Sequence, residues 1–419
     1  MTTSTAGTRV SRRALLGSIP ALAVAGSAVA AALAGLTSLT TDASPIAREE
    51  REGRIAKLQG LMRQAGVGAM VIEAGSSLTY FTGVRWSRSE RPTAAMIPAD
   101  GDAVLITPAF EEPSVRETLQ VSREVRPWNE HESPFALIAD AARPYVRPGR
   151  ALAFEGTTRL FIVEGVRQAL GGPPVAPGQP LVDGCRMFKS PAELALLQVA
   201  NDVTLAALRH VHANLRAGMT TAEVTALMDA ATLALGGQEI EFTLTLLNEA
   251  SAYPHGSRQP QRVREGSTVL MDVGCNVHGY QSDITRTWVF GEASARQRKV
   301  WDTVRRGQQI VLETARPGVP AGAVDDAVRA FYETEGWGPG YRLPGLPHRA
   351  GHGIGLDGHE PPYLVHGDAA PLQPGMCFSD EPGLYIPGEF GVRLEDCWHM
   401  TAQGPVPFTP LARSIDDPI

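Results

Sequence analysis

Two hairpin-like segments in the C-terminal half, each carrying acids at matched distances from its turn, constrain this chain more than any other feature. Residues 268–275 and 280–289 are β-rich and flank Asn276-Val277-His278-Gly279, and a turn centred between Val277 and His278 sets Asp272 opposite Asp283. Residues 376–385 and 391–400 flank 386–390, and a turn centred on Gly388 sets Glu381 opposite Glu395. Facing residues on antiparallel strands have Cβ atoms about 4.5–5.5 Å apart. Like charges that close repel unless they are protonated or bridged by cations. One acid beside a turn is ordinarily turn chemistry, but two matched pairs ask for metal.

A histidine-rich stretch joins them. His348-Arg349-Ala350-Gly351-His352-Gly353-Ile354-Gly355-Leu356-Asp357-Gly358-His359-Glu360 sets three histidines among glycines that let backbone approach a ligand closely. Four carboxylates and one imidazole supply a charge near −4, which two divalent ions would neutralise, and ions in two-metal sites stand about 3.5–4 Å apart. Hard oxygen donors with one imidazole suit Mn²⁺, with Zn²⁺ or Co²⁺ as alternatives.

The rest of the chain reads as two folded units behind a leader. At 419 residues there is length for two domains. With 43% hydrophobic and 20% charged residues and a net charge of −7, the composition excludes a disordered tail protein and a nucleic-acid binder driven by phosphate neutralisation. Ser11-Arg12-Arg13 precedes a stretch from Ala14 to Thr41 without a charge, and Ala28-Val29-Ala30 or Ala32-Leu33-Ala34 offers a small-residue cleavage site. This resembles a twin-arginine export signal over residues 1–41, a receptor-read address. The expected location is outside the cell or in the envelope of a bacterium. The run is also long enough to be an anchor. No cysteine follows Leu33-Ala34-Gly35 to carry a lipid, and no later segment is long and apolar enough to span.

Residues 45–183 are expected to form an α/β domain. Ile55, Leu58, Leu61 and Met62 fall on one face of a helix over 49–64, Gly66 ends it, and strands are expected at 67–73, 78–82, 94–97 and 103–107. The Gly- and Pro-rich run from Gly171 to Gly184 reads as the approach to a domain boundary. The catalytic half is expected over 185–419, with a long helix capped by Ser190-Pro191-Ala192-Glu193 and two more at 221–235 and 295–315. The fold class is α+β.

The ordered set Asp272, Asp283, His352, Glu381 and Glu395 carries the family resemblance. In the contexts Met271-Asp272-Val273-Gly274, Ser282-Asp283-Ile284-Thr285, Gly351-His352-Gly353-Ile354-Gly355, Asp380-Glu381-Pro382-Gly383 and Val392-Arg393-Leu394-Glu395, it resembles the pita-bread metallopeptidases over about 185–405. The first half fits the creatinase/prolidase-like N-terminal domain more loosely. The resemblance implies a pita-bread catalytic domain holding two divalent ions and cleaving the bond between an N-terminal residue and proline, as an Xaa-Pro aminopeptidase or dipeptidase. Asp283 and Glu395 would bridge both ions, Asp272 would complete one, and His352 with Glu381 the other. Glu381 would take a proton from the attacking water, His359 would contact the substrate near the tetrahedral intermediate, and His255 would face its amino end. His348 would line the proline pocket and Arg393 would clamp a carboxylate. Relatives are commonly homodimers or homotetramers.

Two other functions stay open at this level. One is a pita-bread metalloenzyme acting as a lyase or amide hydrolase on a small non-peptide solute, and the other is a non-catalytic binding homologue. Asp380, beside Glu381, is expected to point outward by strand alternation. Cys377 and Cys397, diagonal across the second hairpin, are expected to be free, buried thiols. The segment 85–92, basic and aromatic, is suggested to overhang the active site and set peptide length, with a solvated loop as the alternative.

Overall fold

The protein, described as a computed structural model, is placed at residue 33, residues 35–122 and residues 124–419. The paired arginines and both cleavage motifs of the expected export signal lie outside the described residues, apart from Leu33. Among the described residues no helix is long and apolar enough to cross a membrane.

The N-terminal unit is a mixed six-stranded sheet ordered Val125–Trp128, Val104–Pro108, Ala94–Pro98, Val67–Glu73, Ala151–Phe154, Val175–Pro177. Its central strand Val67–Glu73 is buried along its whole length, which explains the unbroken apolar run there. Helix Arg48–Gln64 covers one face with Leu58 and Met62, while Ile55 and Leu61 pack at the margin. Residues 78–82 belong to a short helix, Ser76–Thr82, and not to the expected strand. Gly75 precedes that helix, and Gly83, at φ 85°, caps its end. The Thr79 and Thr82 hydroxyls donate back to the carbonyls of Gly75 and Leu78 at 3.2 and 2.6 Å, a bond that β-branched Thr makes readily in a helix. A short apolar run cannot be told from a strand by periodicity alone.

The run from Gly171 to Gly184 is likewise built into the fold. Val175–Pro177 pairs in parallel with Ala151–Phe154, and helix Gln179–Arg186 follows with a proline in its first turn. Only 187–190 pass between units before helix Pro191–Asn214, whose cap is the expected one: Ser190 Oγ accepts from Glu193 N and Glu193 returns a bond to Ser190 N.

The C-terminal half repeats one construction twice, two helices backing a hairpin sheet. Pro191–Asn214 and Thr221–Ala234 back the sheet of Glu239–Leu247, Ser267–Val277 and Ile284–Phe290. Ala295–Thr314 and Ala321–Thr334 back the five-stranded sheet that contains Gly351–Gly353, Cys377–Asp380 and Asp396–Thr401. The helix Ala321–Thr334 was not anticipated: Pro320 gives it no side-chain cap, and its signal is the buried series Val324, Val328, Tyr332. The units share a core, since Leu58, Tyr80 and Phe81 cluster with Leu196, Tyr280 and Ile354.

The first hairpin departs from the expected register by two residues. Val277 pairs with Tyr280 and Asp272 with Thr285, so Asp283 lies diagonal to Asp272 on the same face. The cause is a tight turn at His278-Gly279, where φ is 51° and 90°. Two consecutive positive-φ residues make the two-residue turn that matches strand twist. The second hairpin keeps the expected register, with Cys377 opposite His399, Ser379 opposite Cys397 and Gly383 opposite Arg393.

Candidate metal centre

Both hairpins break at their acids, and the breaks meet. Strand pairing lapses at Ser282-Asp283 in the first. In the second it lapses at Glu381-Pro382 and Leu394-Glu395, so that Cys377–Asp380 and Gly383–Ile386 enter different sheets. The freed amides are satisfied elsewhere: Glu381 N donates to Ala350 O at 2.8 Å, and Glu395 N donates to Thr285 O at 3.0 Å. Thr285 N returns a bond to Glu395 O at 3.3 Å, which stitches the two hairpins together at the ligand positions.

His352 enters on the three-residue strand Gly351–Gly353. A Cβ on Gly351 or Gly353 would lie 2.3 Å from the carbonyl oxygen of Ser379 or Glu360, so only glycine lets the strand sit this close to its neighbours. The His352 ring orientation decides its chemistry. Nδ1 faces the carbonyl of Gly353 at 3.1 Å and therefore carries the proton, leaving the lone pair on Nε2. That lone pair faces Asp283 Oδ2 and Glu381 Oε1 at 3.5 Å and Glu395 Oε1 at 3.9 Å. An acceptor aimed at three acceptors is a site shaped for a cation.

The donor set fits metal by other criteria. Ligand atoms of Asp272, Asp283 and Glu395, and those of His352, Glu381 and Glu395, each fall within 4.8 Å of one another. Asp272 Oδ1 is buried without a hydrogen-bond partner. Burial, then the neighbouring carboxylates, push Asp283 and Glu395 well above the usual carboxylate range. Glu381 is pushed up to about 7, chiefly by burial, with Arg393 opposing. Without cations these acids hold their charge at a cost.

Arg393 is 3% exposed. It pairs with Asp272 through Nη2, donates from Nε to Thr285 Oγ1 at 3.0 Å, and donates from Nη1 to the Tyr385 hydroxyl at 2.8 Å. Thr285 Oγ1 in turn donates to Glu395 Oε2 at 2.6 Å. His348 Nδ1 donates to Arg349 O at 2.8 Å, so its Nε2 accepts from the Tyr385 hydroxyl at 2.9 Å. Burial, with Arg393 nearby, lowers His348 to about 3 and keeps it neutral.

A cavity of about 490 Å³ opens over these groups. Every predicted site residue, including His255, His348 and His359, lines it, beside Glu241, Phe242, Leu244, Gln281 and Arg349. The His359 ring centroid stands 3.8 Å from that of His352. Sequence reasoning missed Thr285 and Tyr385, whose only signal is an even spacing from a named acid, two residues after Asp283 and four after Glu381.

Two expectations are refined. Asp380 points away from the cavity, but into the core and not to solvent: Gln308 Nε2 and Asp396 N donate to its Oδ1 at 2.9 and 3.0 Å. The second carboxylate there, Asp396, pairs with buried Arg286 at 2.6 Å. The segment 85–92 does not line the metal cavity. Arg85, Trp86 and Ser87 border an adjoining cleft that shares Glu241 and Gln281 with it, because Arg85 is drawn to Glu239 at 3.1 Å. Cys377 and Cys397 are free and buried, as expected, and so are Cys185 and Cys275.

Comparison with known proteins agrees with this arrangement. The model for metallopeptidase family M24 matches residues 195–402, and that for the creatinase/prolidase N-terminal domain matches 54–188. A probable dipeptidase PepE of Mycobacterium tuberculosis is 33% identical over 84% of this chain and 92% of its own length. An Xaa-Pro dipeptidase of Lactobacillus delbrueckii subsp. lactis is 30% identical over 86% and 97%. The crystal structure of dipeptidase PepE from Mycobacterium ulcerans superposes with a TM-score of 0.79 at 32% identity, covering 88% of this chain and 97% of that one.

Proposed function

Because the chain belongs to metallopeptidase family M24, we propose that it is a di-metal exopeptidase that hydrolyses the bond between an N-terminal residue and proline. The observation that carries this reading is the unprotonated Nε2 of His352 facing the carboxylates of Asp283, Glu381 and Glu395 beneath an open cavity. Asp272, Asp283, His352, Glu381 and Glu395 would hold two divalent ions. Bound divalent ions would supply a water of lowered pKa and polarise the scissile carbonyl.

The chain's own groups do the rest. Glu381 stands to accept the proton of the attacking water. His359 and His255, both at the cavity wall, face the substrate, the first at the reacting carbonyl and the second toward the amino end. His348, held neutral and fixed by Tyr385, presents an uncharged ring to the proline side. Arg393 keeps the Asp272 carboxylate turned toward the centre.

Mn²⁺ is the proposed metal, on the strength of four hard carboxylates against one imidazole. Export through a twin-arginine-type signal is proposed from Ser11-Arg12-Arg13 and the uncharged stretch behind it. Assembly as a homodimer or homotetramer is proposed too, supported by the exposed Phe110, Leu160 and Phe161 of the N-terminal unit.

The test is metal content measured beside cleavage of Xaa-Pro and Xaa-Pro-Xaa peptides. Asp283→Asn and His352→Ala should abolish both metal retention and cleavage. Cleavage retained by metal-free Asp283→Asn protein would sink the proposal.

A further inference from the structure

The loop that carries His359 is anchored from outside its own domain. Arg186, the last residue of helix Gln179–Arg186, donates through Nη2 to Asp357 Oδ2 and Glu360 Oε2, both at 2.8 Å. Its Nη1 donates to the hydroxyls of Ser76 and Ser77, both at 3.1 Å. Ser76 Oγ also donates to Asp357 Oδ2 at 2.8 Å, and Lys189 Nζ donates to Glu360 Oε1 at 2.5 Å. Arg186, Lys189 and Glu360 are 8%, 8% and 5% exposed, so the pairs to Glu360 are largely desolvated, whereas Asp357 is partly exposed.

Asp357 stands two residues before His359, and Glu360 one after it. His359 is therefore bracketed by two carboxylates, both held by one guanidinium of the N-terminal unit. Within its own domain the segment is tied by Ile354 N to Cys377 O at 3.2 Å, by Gln281 N to Gly355 O at 2.9 Å and by Gln281 Nε2 to Leu356 O at 3.1 Å, bonds that stop short of Asp357. His359 also lines both the metal cavity and a second cavity of about 320 Å³ walled by Glu155, Asp183 and Arg186.

We propose that Arg186 is a positioning residue, through which the N-terminal unit aims His359 at the metal centre. A guanidinium suits this task because Nη2 holds both carboxylates while Nη1 holds both serine hydroxyls, four acceptors in all against the three donors of an ammonium. Lys189 keeps Glu360 paired if Arg186 is replaced, so the fold survives the change. The inference rests on the exopeptidase reading for its kinetic readout and on geometry alone for its structural one.

The experiment compares full-length wild type, Arg186→Gln, Arg186→Lys, His359→Ala and the double variant Arg186→Gln/His359→Ala. Arg186→Gln should lower kcat about tenfold with metal content unchanged, the size of effect that groups orienting a site residue commonly have. Arg186→Lys should recover only part of it. In the His359→Ala background Arg186→Gln should cost less than about twofold, because groups acting through one another are not additive. Hydrogen–deuterium exchange of metal-free protein supplies the second readout: amides of 354–359 should exchange faster in Arg186→Gln. Asp357→Asn, at a partly exposed position, should accelerate the same amides should Arg186→Gln fold poorly. Undiminished loss in the His359→Ala background, or unaltered exchange in the loop, would overturn the proposal. A wild type inactive on Xaa-Pro peptides refutes the exopeptidase reading instead, and the exchange result still decides this one.

Discussion

Thr285→Val isolates what the join between the two hairpins contributes. The Thr285 side chain is fully buried, so valine preserves volume and strand preference while removing one hydroxyl. That hydroxyl donates to Glu395 Oε2 at 2.6 Å and accepts from Arg393 Nε at 3.0 Å. Hydrogen bonds to charged groups each contribute about 1.5–3 kcal/mol, and both partners here stay buried when the bond is lost. Arg393 keeps its bonds to Asp272 and Tyr385, which limits the damage, so metal-free Thr285→Val should be less stable by about 3 kcal/mol. The backbone bridge between Thr285 and Glu395 survives, so the register should hold. What changes is the orientation of Glu395, and with it metal affinity, expected to fall about 10–100-fold. Urea unfolding followed by tryptophan fluorescence measures the first quantity, and competitive metal titration the second. Thr285→Ser, which keeps the hydroxyl, should stay within about twofold of wild type in affinity. Thr285→Val protein with a wild-type unfolding midpoint and wild-type affinity would refute the reasoning.

Other outcomes follow from groups away from the join. Burial raises Cys185 to about 11 and Cys377 to about 12, so both must remain protonated to stay inside. Their folded pKa lies above the unfolded value, so this contribution is full below about pH 9 and is lost as pH rises through 11. Native protein at pH 8 should therefore react negligibly with a thiol reagent, and unreduced, unfolded protein should titrate four thiols; a lower count would reveal a disulfide. Arg54, 5% exposed, pairs with Glu50 of its own helix at 2.7 Å and, across the two units, with Glu193 at 3.2 Å and the hydroxyl of Tyr280 at 3.1 Å. Removing one partner of such a buried pair costs about 3–5 kcal/mol. Arg54→Ala should thus split thermal unfolding into two calorimetric transitions, and a single unshifted transition would contradict that coupling.

The helices with strong end signals were legible because their causes are local. Ser190-Pro191-Ala192-Glu193 specifies its cap within four residues, and the structure shows both bonds. The second hairpin was legible for a related reason: its acids are equidistant from Gly388, and a turn about that glycine fixes the pairing. The first hairpin was misjudged by two residues because its turn rests on His278 adopting a left-handed conformation, which histidine does not advertise. The helix Ser76–Thr82 was misread because residues 78–82 are β-branched and aromatic apart from Leu78, which favours a strand, and the deciding threonine bonds appear only once the helix exists.

The five candidate ligands and their order along the chain are legible in the sequence through the motifs that carry the family resemblance. That they meet was decided by tertiary structure. Glu395 and Thr285, 110 positions apart, exchange backbone hydrogen bonds because both hairpins stop pairing at their acids, and the unpaired amides must find partners elsewhere. The same holds for Arg186, whose side chain lies 171 and 174 positions from the carboxylates it holds. Local pattern can mark a charged residue, but only the packing of the two units selects its counter-ion, because a buried charge is stable only where an opposite one is brought to it.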